Sequence, residues 1–530
     1  MTLPLTGILQ EYLDLRWQMN PVAASMAGLR QFDGMLARYD PAALRDHVTA
    51  LKSCSLSLEE ADAPTLQDEI DRTAGLHAIR HDLLMLEQER SFARNPARHL
   101  EHALTGLWVL VARQREPAER AGALIARLRA LPAFLRVAAE VLTSPCAVLT
   151  EMALAMVPGA LLLVREGIEK AEVDAGGIAP EEWITARTAA VDALTEYRDW
   201  LQLAAERAQP GFAIGRDIFD LKLHTAHMIR ENADELYRFG ELLQSTTVDA
   251  IARVANEISP GSHWRDVATR LREDAPASDA IVAEYRDAMR SARKFVVDRA
   301  LVKVPPGDLH VTPTPDFLRS LIPIAAYIGP GAYDLEQTGT FFVTTPQAWE
   351  VRRLHGRAEL AITALHEGVP GHHLQFLTAN RLSRPVRRIL CTPLAQEGWA
   401  LYCESLMTEQ GFLTSPEERF FQLYHLLWRA LRVKLDVSLH TRDMAVGEAA
   451  TMLQEELALD AGSAWAEARR YCAYPTYQLC YATGRRDILR LRDDARTQKG
   501  AAFSLAEFHH ELLSYGAFPT ELARWGMGLS

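Results

Sequence analysis

The segment His366-Glu-Gly-Val-Pro-Gly-His-His-Leu-Gln375 combines histidines and a glutamate in a pattern that indicates a zinc hydrolase. A catalytic zinc ion commonly binds two imidazole nitrogens and a carboxylate, with a non-ligating glutamate nearby to accept a proton from water. In the familiar His-Glu-x-x-His helix, the two histidines lie four residues apart on one face. Here Pro370 occupies that fourth position, and the next histidines are His372 and His373.

The proline and glycines of this segment belong to residue types that distort helices. On an undistorted helix, His373 would lie roughly 10 Å along the axis from His366, and His372 would lie about 120° from its face. Pro370 cannot donate to the carbonyl of His366, so the helix must bend. We therefore predict that the bend brings His366 and either His372 or His373 to one metal ion, with Glu367 as proton acceptor. The alternative is a set of ordinary histidines beside a bent helix.

A second segment supplies carboxylates for the same site. The stretch from Leu394 to Leu406 places Glu397 and Glu404 seven residues apart, on one face of a predicted helix. The neighbouring residues are mostly apolar, which predicts a buried helix, and a buried carboxylate needs a metal or a charged partner. We predict Glu397 as the third metal ligand and Glu404 as the group that holds a ligating histidine by its other nitrogen. Alternatively, both glutamates pair with arginines in a structural network.

A polar stripe follows helical spacing through the apolar stretch 426–440. It contains Arg429, Arg432, Asp436 and His440. We expect Asp436 to orient or charge His440, and we expect His440 and Tyr481 to donate hydrogen bonds to the oxyanion of a tetrahedral intermediate. Arg429 and Arg432 are candidates for binding a free substrate carboxylate as a bidentate fork. The alternative is a buried ion-pair network.

Three strings of the sequence resemble the signatures of the bacterial family named domain of unknown function 885. They are His366 to Gln375, Glu397 to Glu404 and Pro475 to Gly484. The likeness extends to the tail from Phe508 to Pro519 and, more weakly, to the stretch from Pro21 to Asp33. The resemblance therefore covers most of the chain.

This resemblance implies a mainly α, large multi-helical, zincin-like metallopeptidase fold with a deep central cleft. It also implies zinc, with His366, His372 and Glu397 as ligands and Glu367 as the catalytic residue. His373 is then a supporting residue next to the metal ligands and does not itself bind the metal. The sequence departs from the family pattern at positions 477 and 480, where small residues are more usual, which leaves the fit of the substrate open.

Hydrophobic periodicity predicts two lobes, which together form one continuous fold around a cleft. Residues 1–300 repeat a helical period, for example over 121–142, 181–208 and 234–258, and form a helical lobe. Residues 301–530 form the catalytic metal-binding lobe. Within it, 302–311 and 338–345 are rich in β-branched and aromatic residues, which predicts a small β-sheet or hairpin near residues 301–346. A strand there could add a peptide substrate to its edge.

Composition is typical of a large soluble enzyme. The chain has 530 residues, is 48% hydrophobic and carries a formal net charge of -12, which argues against nucleic acid as a partner. Its N-terminus lacks the basic start and apolar run of a signal peptide. The apolar stretch 146–164 contains Glu151 and Pro158, which predicts a core helix rather than a membrane span. The six cysteines show no paired spacing, so we expect a cytoplasmic location.

Together these patterns predict a zinc-dependent hydrolase that cleaves a peptide or amide bond in short peptides, as a carboxypeptidase or oligopeptidase does. The expected cofactor is Zn²⁺, and the expected partner is a short peptide or small amide substrate. Neither nucleic acid nor a membrane is expected as a partner, and a homodimer is compatible with the sequence. Two alternatives remain open. One is a metal-dependent amide or ester hydrolase for a small metabolite, and the other is a non-catalytic peptide-binding protein with structural zinc.

Overall fold

The computed structural model describes residues 4–112, 117–168, 179–316, 319, 322, 324–346 and 355–529. These residues are mostly helical, with a small three-stranded sheet, so the predicted mainly α class is confirmed. The chain forms two compact units. The first contains Met1–Pro64, Ala78–Phe212 and Pro315–Pro323, and the second contains Thr65–His77, Ala213–Thr314 and Ile324–Ser530. The division differs from the predicted boundary at residue 300. The reason is that the helix Ala233–Ile258, which precedes this boundary, packs along the helix Pro416–Thr441 of the C-terminal part.

The helices of residues 4–212 include two of the three segments that periodicity predicts, 121–142 and 181–208. In chain order they are α1 (Leu5–Met19), α2 (Pro21–Met26), α3 (Pro41–Glu60), α4 (Leu66–Leu84), α5 (Ser91–Arg94), α6 (Pro96–Ala112), α7 (Pro117–Val141), α8 (Ala147–Leu162) and α9 (Pro180–Ala205). Short 3₁₀ or π turns cover Arg30–Phe32, Met85–Glu89 and Leu163–Gly167.

The remaining helices all belong to the second unit. They are α10 (Arg216–His227), α11 (Ala233–Ile258), α12 (Trp264–Leu271), α13 (Ile281–Asp298), α14 (Arg357–Glu367), α15 (His372–Ala379), α16 (Pro385–Ile389), α17 (Pro393–Glu409), α18 (Pro416–Thr441), α19 (Val446–Leu457), α20 (Ala461–Ala473), α21 (Cys480–Lys499), α22 (Leu505–Leu513) and α23 (Thr520–Gly526). A 3₁₀ turn covers Gly500–Ala502.

Local sequence signals fix where the two central helices of the second unit begin. Pro393 and Pro416 occupy the first turns of α17 and α18, where a missing N–H interrupts no helical hydrogen bond. Thr392 accepts a hydrogen bond from the first turn of α17. Ser415 and Glu418 form a reciprocal capping box at α18. The side chains that these two helices carry are therefore set in a fixed register.

The small sheet lies between α13 and α14 in the sequence. Its strands are β1 (Asp308–Pro313), β2 (Ala325–Ile328) and β3 (Thr338–Val343), in the order β1-β3-β2. Strand β3 pairs in parallel with β1 and antiparallel with β2. The predicted sheet is thus present, but β1 and β3 form no hairpin. Strand β3 is paired along both edges, so the predicted addition of a peptide to a strand edge would have to involve β1 or β2.

One described segment, Ala147–Gly167, is long and apolar enough to cross a membrane by length and composition alone. Several of its side chains, including Val148, Ala153 and Val157, are buried inside the first unit. A core helix passes the same length and composition test, so the segment is weak evidence for a membrane span.

Two pairs of helices bring backbones close together in the second unit. Helix α11 approaches α18 at Gly240, where an added Cβ would lie 3.0 Å from the side chain of Lys434. Helices α17 and α21 are in backbone contact, since a Cβ on Gly484 would lie 2.0 Å from the carbonyl oxygen of Leu394. A Cβ on Gly398 would lie 2.6 Å from the backbone of Gly484. These glycines place the residues next to Gly398 against α21.

A buried ion pair joins an early segment of the chain to α16. Arg387 Nε lies 2.7 Å from Asp71 Oδ1, and both side chains are buried. Arg384 Nη1 lies 2.7 Å from the second oxygen of Asp71. The first part of α4 therefore belongs to the second unit although it precedes most of the first unit in the sequence.

We expect Gly484→Ala to destabilise the protein by about 3 kcal/mol, because the new methyl group overpacks a backbone contact. Gly122→Ala is the matched control, since Gly122 is an exposed helical glycine with nothing within 4 Å of an added Cβ. This control should be stabilised by about 0.5 to 1 kcal/mol. Urea unfolding followed by circular dichroism measures both changes. Equal midpoints for the two variants would contradict the close contact of α17 and α21.

Candidate metal centre

The turn between α14 and α15 gives the candidate site its shape. Helix α14 ends at Glu367 and α15 begins at His372, so the predicted bend is a complete break. Gly371 permits the break, because a Cβ at this position would lie 1.8 Å from the carbonyl oxygen of His366. Its backbone N–H donates to the carbonyl of Leu365 over 3.0 Å. As a result, the rings of His366 and His372 lie close together in an edge-to-face arrangement, with centroids 4.9 Å apart.

Helix α17 holds this turn in place. The indole N–H of Trp399 donates to the carbonyl oxygen of Pro370 over 2.8 Å, and the thiol of Cys403 approaches the same oxygen at 3.5 Å. The amide of Gln375 donates to the carbonyl of Ala395 over 3.1 Å. These contacts lie on both sides of Glu397 along α17. They therefore hold the carboxylate of Glu397 opposite the turn between α14 and α15.

The ligand atoms of His366, His372 and Glu397 lie within 4.8 Å of one another. Glu397 Oε2 is 3.4 Å from His372 Nε2 and 3.8 Å from His366 Nε2. Tetrahedral zinc with ordinary bond lengths separates its ligand atoms by about 3.4 Å. Two imidazoles and one carboxylate are also the donor types of a catalytic zinc site. The predicted ligands thus come together in a geometry that fits zinc.

Glu404 lies directly behind the cluster. Its side chain has no exposed surface, and His366 Nδ1 donates to its Oε1 over 2.7 Å. Burial raises the pKa of Glu404, but hydrogen bonds from His366 and His425 outweigh this effect and lower it to about 2. This contact leaves His366 Nε2 directed at Glu397. Glu404 therefore occupies the supporting position predicted for it.

Further buried charges extend this network beyond the predicted residues. Glu404 Oε2 lies 3.7 Å from His425 Nδ1, and His425 Nε2 lies 3.3 Å from Glu359 Oε1. Arg272 donates to both oxygens of Glu359, over 3.0 and 3.2 Å. Sequence reasoning missed these residues, although Glu359 precedes His366 by seven residues and His425 extends the polar stripe of α18 by one turn.

Two carboxylates make the cluster strongly anionic. Burial lowers the pKa of His366, but hydrogen bonds to Glu397 and Glu404 outweigh this effect and raise it to about 9. Glu397 is also buried, yet contacts with His366 and His372 hold its pKa well below the ordinary value. The site therefore attracts a positive charge, which a proton or a metal ion can supply.

A tyrosine pair stands on the other side of Glu397. The hydroxyl of Tyr477 donates to Glu397 Oε1 over 2.5 Å, while Oε2 faces the histidines. The rings of Tyr477 and Tyr481 lie 6.0 Å apart. Burial, followed by the charge of Glu397, raises the pKa of Tyr481 to about 12, so its hydroxyl keeps its proton near neutral pH. Tyr481 is thus brought beside the cluster, whereas Tyr477 was seen in the sequence only as a departure from the family pattern.

His373 faces the small sheet. It is almost fully buried, and its Nδ1 lies 2.8 Å from the hydroxyl of Tyr327 on β2. Burial lowers the pKa of His373 to about 4. The geometry therefore selects His372, not His373, as the partner of His366. The described contacts of His373 are with the sheet, so its predicted supporting role at the metal is replaced by a role in packing.

Asp436 does not orient His440 in the way the sequence led us to expect. Its two oxygens accept backbone N–H groups of Thr476 and Leu479, over 3.0 and 3.1 Å. The described hydrogen bond of His440 is between Nε2 and the carbonyl of Tyr471, at 3.1 Å. Helical spacing put both residues on one side of α18, but the turn between α20 and α21 occupies the carboxylate. Asp436 therefore holds the turn that carries the tyrosines.

The two arginines of the stripe have different surroundings. Arg432 donates to the hydroxyl of Tyr471 and to Glu467, each over 2.9 Å. For Arg432, the alternative of a buried ion-pair network is therefore the observed arrangement. Arg432 and Arg429 both approach the ring of Tyr481, at 5.0 and 5.5 Å from its centroid.

The model of the family described as bacterial protein of unknown function (DUF885) matches residues 21–526. The chain belongs to this family. The resemblance seen in the sequence is thereby confirmed, and the DUF885 description states no activity.

Solved structures share the fold of this DUF885 protein. One is a "putative lipoprotein of unknown function" from Shewanella oneidensis, with a TM-score of 0.81 and 22% identity, covering 99% of this chain and 100% of that one. Another is a "putative lipoprotein" from Colwellia psychrerythraea, with a TM-score of 0.86 and 17% identity, covering 99% and 98%. No curated protein matches the chain.

We expect Glu404→Gln to lower the affinity of this DUF885 protein for zinc by roughly 10- to 100-fold, because His366 loses its anionic partner. The control is Glu409→Gln, which makes the same change on the same helix. Glu409 pairs with Arg492 at 2.7 Å and is 43% exposed. Competition with a chromophoric chelator measures the affinity. Equal affinities of the two variants would show that Glu404 does not support the site.

Replacing each of the adjacent histidines separates their roles. We expect His372→Ala to lose more zinc affinity than Glu404→Gln, because it removes a ligand. His373→Ala should keep its zinc affinity and lose about 1 to 3 kcal/mol of stability, because Tyr327 loses a buried hydrogen-bond partner. Metal titration and thermal unfolding of both variants measure these effects. The reverse pattern would assign the ligand to His373.

Proposed function

We propose that this protein is a zinc-dependent hydrolase that cleaves a peptide or amide bond in short peptides. The observation that carries the proposal is the convergence of His366, His372 and Glu397 within 4.8 Å, with Glu404 hydrogen-bonded to His366. A carboxylate that orients a ligating histidine is typical of zinc enzymes. The zincin-like architecture with a central cleft, implied by the family resemblance, is part of this proposal.

The three converging side chains would hold the zinc ion. When bound, zinc polarises a carbonyl group and makes water more acidic, which are the two effects that amide hydrolysis needs. The hydroxyl of Tyr477 engages one oxygen of Glu397, so the other oxygen is the one presented to the histidines. The chain thus fixes both the donor atoms and their orientation.

Glu367 is the proposed proton acceptor. It directly follows His366 at the end of α14, and its side chain is partly exposed. Within the described residues, its carboxylate has no hydrogen-bond or ion-pair partner. Burial, followed by the charge of Glu367, raises the pKa of Tyr327 well above its ordinary value, which indicates that Glu367 lies toward the sheet. A free carboxylate here can take a proton from the attacking water and deliver it to the leaving amine.

Tyr481 is the proposed donor to the oxyanion that forms on the substrate carbonyl. Its hydroxyl stays protonated near neutral pH and lies beside Tyr477, on the same side of the cluster as Glu397. Protonated phenols suit this task because they donate a hydrogen bond without losing the proton. The sequence predicts the same role for His440, whose described contacts include the carbonyl of Tyr471 and the ring of Phe219.

The sequence and the similar solved structures indicate different cellular locations. The sequence led us to expect the cytoplasm. The two solved structures named above are described as a "putative lipoprotein", which favours a membrane-anchored location outside the cytoplasm for those proteins. Hydrolysis of short peptides is compatible with either compartment, so the proposed chemistry does not depend on the location.

We expect Glu367→Gln to bind zinc like the wild type and to lose turnover by roughly 10²- to 10⁴-fold, because the base is replaced by an amide of equal shape. Metal content and hydrolysis of a panel of short peptides, small amides and esters measure the two properties. The Glu409→Gln variant serves as the control for removal of a carboxylate elsewhere in the unit.

Each outcome of this panel has a defined meaning. Turnover of small amides or esters without turnover of peptides would favour the metabolite hydrolase. Bound zinc without turnover of any compound by the wild type would favour a peptide-binding protein with structural zinc. Equal activity of Glu367→Gln and wild type would exclude Glu367 as the base, and absence of metal from both would refute the proposal.

A further inference from the structure

Within the described part of the chain, the guanidinium group of Arg429 has no paired carboxylate. Its Nε is fully buried without a hydrogen-bond partner, and no carboxylate lies within ion-pair distance among the described residues. Its described contacts are aromatic, with the rings of Trp428 at 5.7 Å and Tyr481 at 5.5 Å. Burial, followed by the charge of Arg432, lowers the pKa of Arg429. A cation in such surroundings is costly unless an anion joins it.

Arg432 and Arg470 do not share this property, because both already pair with a carboxylate. Glu467 lies 2.9 Å from Arg432 Nη2 and 2.8 Å from Arg470 Nη2. Glu467 also accepts a hydrogen bond from the hydroxyl of Tyr471 over 2.7 Å. Its oxygens are therefore occupied, and Arg429 adds a positive charge that this carboxylate does not neutralise.

A second guanidinium contributes to the same excess of charge. Arg485 donates from Nε to the hydroxyl of Ser405 over 2.8 Å, and no described carboxylate pairs with it. Burial lowers the pKa of Arg485, and the charge of Glu409, followed by that of Glu404, partly restores it. The charge of Glu404 also raises the pKa of Arg429. Both arginines therefore lie within electrostatic range of the carboxylate that supports the metal centre.

A row of aromatic rings connects Arg429 to the proposed metal ligands. Arg429 lies over the ring of Tyr481, whose ring contacts that of Tyr477, and the hydroxyl of Tyr477 donates to Glu397. Leu401 and Leu426 pack with Tyr481 in one apolar cluster. Arg429 thus lies at the end of a row of aromatic and apolar side chains that begins at Glu397. This combination suits a substrate that has a carboxylate at one end.

We propose that Arg429 binds the free carboxylate of the substrate, so that the enzyme removes a residue from the C-terminus of a short peptide. This assignment rests on the proposed hydrolase function and narrows its substrate class. A guanidinium and a carboxylate form two parallel hydrogen bonds, which fix the orientation of the substrate as well as its charge. Arg432 cannot take this role, because its donors already bind Glu467 and Tyr471.

Matched substrates test the assignment without altering the protein. N-acetylated dipeptides are prepared in pairs, each as the C-terminal acid and as the C-terminal carboxamide. Their binding to zinc-loaded Glu367→Gln is measured by calorimetry, and their hydrolysis by the wild type is measured separately. We expect the acid to bind roughly 10- to 100-fold more tightly, the range for a hydrogen bond to a charged group. We also expect the difference to appear mainly in KM.

Variants then locate the carboxylate site. Arg429→Met, combined with Glu367→Gln, should abolish the preference for the acid, and Arg429→Lys should restore part of it. Arg419→Met is the matched control, because Arg419 lies on the same helix, is partly exposed and pairs with Glu257. This control should keep the full preference. Circular dichroism and zinc content confirm that each variant is folded.

The outcomes separate this inference from the proposed function. Preferential binding of the acid without hydrolysis of either peptide refutes the hydrolase and supports the carboxylate site. Hydrolysis of acid and carboxamide at equal rates, or equal binding of the two, overturns the role of Arg429 and leaves the hydrolase intact. If neither peptide binds, the proposed role of Arg429 is also overturned. An acid preference that survives Arg429→Met also overturns the assignment.

Discussion

The second unit depends on burying Glu404 against His366. A carboxylate with no exposed surface is tolerated only where charge and hydrogen bonds compensate for the lost water, and removing one partner of such a pair costs about 3 to 5 kcal/mol. The compensation continues through His425 and Glu359 to Arg272. Helices α14, α17 and α18 and the C-cap of α12 therefore meet around buried polar and charged groups, and their register cannot change without leaving one of these groups without its partner.

This constraint explains why glycines lie at the surrounding contacts. Gly398 and Gly484 let α17 and α21 touch through their backbones, and Gly371 lets the chain turn tightly enough for two histidines to converge. Side chains larger than hydrogen would displace the helix that carries Glu397 or the helix that carries Tyr481. The apolar contacts around these positions hold the helices together, while the glycines set how closely they approach.

The metal cluster could be predicted from the sequence because its signals are local. Two histidines beside a proline, and two glutamates seven residues apart, each lie within one short segment. The partners of these residues could not be predicted, because His425 and Tyr477 reach the site only through tertiary packing. Helical spacing also did not predict the hydrogen-bond partners of Asp436. A shared face of α18 with His440 does not reveal that the turn between α20 and α21 packs against this face. Likewise, enrichment in β-branched and aromatic residues predicted two strands but not the central position of β3.

The buried pair of Asp71 and Arg387 connects residues 316 positions apart in the sequence. Proteins are synthesised from the N-terminus, so residues 65–77 leave the ribosome long before α16 does. During that interval, Asp71 has no native counter-charge and the start of α4 has no native surface to pack on. The second unit can close around this pair only after α16 has been synthesised, so its assembly waits for a segment 316 residues downstream of Asp71.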